Sequence, residues 1–127
     1  MNKAIAILGL SFAATSANAA DILAAGALYG SPTQATAVCF IYNSGSSAVT
    51  LTGPTIYNPD GFSVTSTLDT CHVTPKLGAG RICQVTVNAI NQPYSCRAVV
   101  APQKDAVRGM LEVRDANGTP LQNVQLR

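Results

Sequence analysis

From Cys83 to Asn88 the side chains alternate without a break. Cys83, Val85 and Val87 lie on one side of an extended backbone, and Gln84, Thr86 and Asn88 on the other. Period two marks a strand with one covered face, whereas a surface helix repeats at about 3.6 residues. The same alternation returns in Ala48–Thr52, where Val49 and Leu51 share a face. Tyr94–Val100 sets Tyr94, Cys96, Ala98 and Val100 against Ser95 and Arg97, and Val107–Arg114 sets Val107, Leu111 and Val113 against Arg108, Glu112 and Arg114. Phe62, Val64 and Leu68 predict a further inward row, opposite Ser63, Thr65 and Thr67. Thr36–Tyr42 is apolar on both faces, which predicts a central strand covered on either side.

Turn chemistry separates these segments. Asn43-Ser-Gly-Ser-Ser47, Asn58-Pro-Asp-Gly61, Asn91-Gln-Pro93 and Asp115-Ala-Asn-Gly118 supply the residues that preset or tolerate turn geometry. Asn117-Gly118 is the strongest short-range hairpin signal. Gly53-Pro54 predicts a break, with Thr55–Tyr57 resuming after a bend. A first short strand is expected at Ala27–Tyr29, because Gly26 and Gly30 oppose a long helix there. In the last strand, Pro120 to Arg127, the apolar phase shifts between Leu121 and Val124, which predicts a bulge. No segment sustains a helical repeat. The fold expected from alternation and turn spacing is an all-β antiparallel β-sandwich.

The 127 residues make one domain after a leader. Lys3, the apolar run Ala4–Ala14 and small residues ending in Ala17-Asn18-Ala19 read as a secretory signal peptide, removed after Ala19. The apolar run spans about eleven residues, too few for the roughly twenty that a membrane-crossing helix needs. Residues 1–19 are assigned to the leader, 20–35 to an N-terminal extension and first edge strand, and 36–127 to the sandwich. Formal charge falls from +2 to about +1 with loss of Lys3, and no Lys/Arg run exists. A nucleic-acid partner is not expected on that balance.

Four cysteines, Cys39, Cys71, Cys83 and Cys96, fall in the remaining chain. An even count in a small exported domain reads as two disulfides, with three connectivities open. Cys71–Cys83 with Cys39–Cys96 is favoured, the short loop contributing ~3 kcal/mol and the long one ~4 kcal/mol in the chain-entropy model. A zinc site with His72 as an added ligand is the competing reading, but no C-x-x-C pair is present. No cofactor or metal is expected.

Cys39-Phe-Ile-Tyr-Asn-Ser-Gly45 resembles the strand-then-Asn-x-Gly opening of hydin-type, major-sperm-protein-like immunoglobulin modules. Leu77-Gly-Ala-Gly-Arg-Ile-Cys-Gln-Val-Thr-Val87 is similar to their glycine-then-Cys-x-Val-x-Val segment, in which an earlier cysteine often pairs across the loop as Cys71 would here. Arg108–Asp115 resembles the closing hairpin of small exported bacterial proteins of unassigned function. Tyr94–Val100 departs from the pattern as an inserted strand and leaves the strand order open. The resemblance implies an immunoglobulin-like antiparallel β-sandwich of about seven to nine strands, acting as a structural or binding module with no catalytic residues to carry over.

Candidate chemistry is thin. Ser66, Asp69 and His72 permit a triad on paper, yet no G-x-S-x-G is present, and a loop histidine beside a disulfide is the simpler reading. Asp60, Asp69, Asp105, Glu112 and Asp115 are scattered. Gly78-Ala79-Gly80 lacks the Lys-Ser/Thr and helix of a phosphate loop. There is no Trp, and Tyr29, Tyr42, Tyr57 and Tyr94 fall in different strands, which argues against a sugar platform. Asn117 sits in a glycosylation sequon, but Asn117 and Gly118 are read as hairpin-turn residues in preference to a glycosylation site.

The expectation is an exported, periplasmic or extracellular, non-enzymatic structural or protein-binding module with no membrane contact after leader removal. Contact is expected through loops or an exposed sheet edge. Arg97, Arg108 and Arg114 are the surface residues singled out, as a basic stripe on one face. A fimbrial subunit donating a free extension at Asp21–Thr33 is the first alternative, and a small hydrolase or inhibitor the second.

Overall fold

A computed structural model describes residues 20–72, 76–102 and 104–127. The expected leader and Pro75 of the loop between Cys71 and Cys83 lie outside them. Among the described residues are nine strands and no helix: β1 Asp21–Leu28, β2 Gln34–Asn43, β3 Val49–Tyr57, β4 Ser66–Asp69, β5 Lys76–Leu77, β6 Ile82–Asn88, β7 Tyr94–Ala101, β8 Val107–Asp115 and β9 Pro120–Leu126. They form two antiparallel sheets packed face to face, in the orders β1-β7-β3-β5 and β4-β6-β2-β8-β9. This is the antiparallel sandwich that the alternation predicts.

The inward rows meet in one core. Ala37, Cys39 and Ile41 of β2 lie opposite Val87, Val85 and Cys83 of β6, and opposite Val113, Leu111 and Gly109 of β8. Against them pack Tyr94, Cys96, Ala98 and Val100 of β7, with Leu51 and Ile56 of β3. Each fully buried aliphatic side chain contributes about 1.5–3 kcal/mol. Gly109 interrupts the β8 row because a Cβ there would stand 2.9 Å from the Leu126 side chain and 3.2 Å from Ile41.

Two covalent links and two amides hold this arrangement. The disulfide Cys39–Cys96 joins β2 to β7, and so one sheet to the other, through the centre of the core. Cys71–Cys83 ties the residues after β4 to β6. Both pairs are those favoured from the sequence. Asn43, fully buried at the end of β2, donates to the carbonyls of Ser47 and Leu77 and accepts the Gly45 amide. Gln34, buried at the other end, donates to the carbonyls of Ile90 and Gln92 and accepts the Gly30 amide. Polar side chains stay buried here because their partners replace the water they lose.

Several expectations need correction. The first strand is Asp21–Leu28 rather than Ala27–Tyr29; it docks on β7 as an edge strand of the sandwich, with no free extension before it in residues 21–28. Gly53-Pro54 does not break β3: Gly53 takes φ +48°, a left-handed value glycine tolerates, and the strand continues through a register shift between Thr52 and Thr55. Phe62 and Leu68 do not point inward. Phe62 is 70% exposed and Leu68 is on the outer face opposite Thr86, so only Val64 of that row packs on the core. The strand order left open around Tyr94–Val100 is now given: β7 is flanked by β1 and β3 and carries the inter-sheet disulfide. The β9 irregularity falls at Leu121, between the pairs Arg114–Pro120 and Val113–Gln122, beside the position expected.

One lateral side is bridged by backbone hydrogen bonds, while β4 and β5 remain short edge strands on the other. Ala24 and the C-terminal Arg127 exchange two backbone hydrogen bonds of 3.0 and 2.9 Å, which join β1 to the end of β9 across the sheets. On the other side, β5 and a bridge from Ser63 to Tyr57 cover parts of β3. Blunted edges of this kind suppress strand-to-strand association.

Candidate functional site

Beside these short edges the five-stranded sheet offers a broad outer face. The outward row of β2 is Thr36, Val38, Phe40 and Tyr42; its partners across the ladder are Thr86, Gln84 and Ile82 on β6, and Glu112, Met110 and Arg108 on β8. Val38 is buried by these neighbours alone, Phe40 is half-buried, and Tyr42 and Ile82 are 42% and 62% exposed. The sequence expectation of a β2 covered on both sides is therefore corrected: among the described residues, no second layer lies over its outer face.

Phe40 and Ile82 form a low ridge with a hollow on each flank. One hollow, of about 300 Å³, is lined by Phe40, Tyr42, Ile82 and Met110, with Arg108 and Gln125 at its rim. The other, of about 210 Å³, lies between that ridge and Thr70, Cys83 and Gln84. Arg114 closes one wall, its guanidinium 5.5 Å from the centre of the Phe40 ring while its Nε pairs with the carboxylate of Glu112. Glu112 is correspondingly buried, although the alternation puts it on the outer face. The pairing neutralises both charges and fixes the ring from above. Contiguous apolar surface rimmed by a few oriented polar groups is suited to burying an apolar group of a partner.

The three arginines singled out do not form a stripe. Arg97 is on the outer face of the other sheet, in β7, opposite Ala24 and Thr55. Arg108 and Arg114 share the β8 face, but Met110 and the Glu112 carboxylate lie between them. The remaining candidates are structural. Asp69 Oδ1 accepts the amides of Cys71 and His72, and its other oxygen pairs with His72 Nδ1; together they shape the turn before the disulfide. The Gly80 amide is taken by the Asn43 carbonyl and the Arg81 amide by the Gly78 carbonyl, so these two donors are engaged within the protein. Tyr94 is buried with its hydroxyl accepting the Ile90 amide, Tyr57 belongs to the four-stranded sheet, Tyr29 lies beyond β1, and Tyr42 alone reaches the groove. Asp115 Oδ1 accepts the amides of Asn117 and Thr119, the hairpin role for that turn. Among the described residues, no three His, Cys, Asp or Glu side chains gather as a metal site would require.

The groove itself was missed from the sequence. Its one signal was the apolar outer row of Thr36–Tyr42, and the partners Ile82 and Met110 come from strands about 40 and 70 positions away.

No family model matches this chain, and no curated protein is detectably similar. The crystal structure of Thermotoga maritima 1070 matches 85% of this chain and 91% of its own at 14% identity and a TM-score of 0.45, a likeness too loose to transfer a function.

Proposed function

We propose that this chain is an exported, non-enzymatic protein-binding module that works through the outer face of its five-stranded sheet. The observation that carries the reading is the exposure of Tyr42 and Ile82 beside half-buried Phe40 and Met110, on a face with no covering layer among the described residues. Two buried disulfides fit an oxidising compartment. The leader-like N-terminus and the resemblance to hydin-type, major-sperm-protein-like modules support export and a binding role. The alternatives draw no comparable support: Asp21–Leu28, which strand donation needs free, is hydrogen-bonded as β1, and His72 is engaged by Asp69 in a turn.

Photo-crosslinking tests the reading. A benzophenone amino acid at position 82 in the mature protein, returned to the native envelope, is expected to capture a discrete protein, whereas the same probe at position 97 on the opposite face captures none. Equal capture from both positions, or capture from 97 alone, overturns the assignment.

A further inference from the structure

The two arginines of the groove face are not equivalent. Arg114 is committed to Glu112 and to the Phe40 ring. Arg108 donates twice from one terminal nitrogen, Nη1, to the carbonyls of Asp105 at 2.6 Å and Val107 at 3.0 Å. A guanidinium carries five donors, so among the described residues the Nε–Nη2 edge of Arg108 is left with three. That edge is the one that takes a carboxylate in the side-on, two-bond geometry, and the two carbonyl bonds hold it oriented in advance.

Arg108 also stands where two hollows meet. Besides rimming the apolar groove, it lines a second cavity of about 400 Å³ at the seam of β1, β8 and β9. Lys104, Asp105 and Arg127 line that cavity too. Nearby Asp21 is occupied, its carboxylate accepting the Lys104 amide, while Lys104 Nζ reaches the Ile22 carbonyl. Glu112, the acid on the groove side, is neutralised by Arg114. The apolar hollow is therefore bordered by an oriented guanidinium that has donors to spare among the described residues.

We infer that the ligand of this face is an extended peptide segment with an apolar side chain seated over Phe40 and Ile82 and a carboxylate received by Arg108. This deepens, and rests on, the reading of the face as a protein-binding surface. A sugar ring is the lesser fit, because it stacks on a flat aromatic platform and here Tyr42 shares the hollow with Ile82 and Met110. The apolar contact supplies affinity, and the charge supplies orientation and rate.

The test uses the mature protein and fluorescein-labelled octapeptides with a central Phe or Leu, flanked on one side by two Asp, two Asn or two Lys. By anisotropy at low salt, the Asp peptides are expected to bind about tenfold tighter than the Asn peptides, the gap narrowing as salt screens the charges. Arg108→Gln is expected to bring the Asp peptides down to the Asn level, Arg108→Lys to restore part of the gap, and Arg97→Ala to change neither. Ile82→Asp is expected to weaken all of them. Equal binding of Asp and Asn peptides overturns the carboxylate assignment while leaving the apolar surface standing. Indifference of every peptide to Ile82→Asp overturns the surface itself. No binding by any peptide, or binding only of a uronic-acid oligosaccharide used in parallel, also overturns the inference.

Discussion

The outer faces of the two sheets are built from strands of the same kind, yet they differ in what they offer. On the four-stranded sheet, Ile22 and Val99 are adjacent in one row that ends at Thr52, and the next row is Ala24, Arg97 and Thr55. The apolar pair there is bordered by Thr52 and by the Ala24, Arg97 and Thr55 row. On the five-stranded sheet, Ile82 and Tyr42 are neighbours, and Phe40 and Met110 are neighbours in the next row. Antiparallel register stacks these rows into one patch, with Arg108 and the Glu112–Arg114 pair around it. The difference teaches that a binding face need not differ in strand grammar; it differs in which outward residues the register aligns.

The largest expected effect is on the link that holds the two faces back to back. Replacing Cys39 and Cys96 together with Ala should lower the unfolding free energy by ~4 kcal/mol, read from urea denaturation. A loss under ~1 kcal/mol would mean that core packing alone holds the two sheets back to back. Next comes the surface itself. Ile82→Asp combined with Tyr42→Asp should weaken partner or peptide binding by ~2 kcal/mol or more, about thirtyfold, while Thr50→Asp with Thr52→Asp on the other sheet leaves it unchanged. Similar losses from both pairs would erase the contrast.

A smaller effect is expected at Glu112. Its replacement by Ala leaves Arg114 without its partner, and because Arg114 remains about a third exposed (32%) the loss should be only ~1 kcal/mol in a urea titration. An unchanged midpoint would show that the pair does not hold the groove wall. The smallest is Arg97→Ala on the opposite face, expected to stay within ~0.5 kcal/mol in stability and to leave binding untouched. A clear loss of binding there would move the functional surface to the other sheet.

The strands were legible where alternation is local. Cys83, Val85 and Val87, or Tyr94 to Val100, read as buried rows because the side-chain period is a property of each segment alone. The hairpin at Asp115–Gly118 was legible for the same reason. Reading failed where burial depends on a neighbour from elsewhere. Phe62 and Leu68 alternate correctly, yet nothing lies over their side of the chain. Asn43 read only as the start of a turn, whereas its amide joins the β2–β3 loop to β5. Glu112 read as a solvent charge because Val38 and Phe40, which complete its cover beside Arg114, become adjacent only through β2–β8 pairing.

By itself, the order of residues determined the all-β character, the inward rows and the even set of cysteines whose favoured pairing the fold contains. Those follow from backbone periodicity and short-range turn chemistry, which act over a few residues. Which sheet each strand joined, that Arg97 and Arg108 ended on opposite sides, and that Phe40, Ile82 and Met110 came to share one open face were decided only in the tertiary structure. Register between distant strands is a collective outcome of core packing, and no local pattern encodes it.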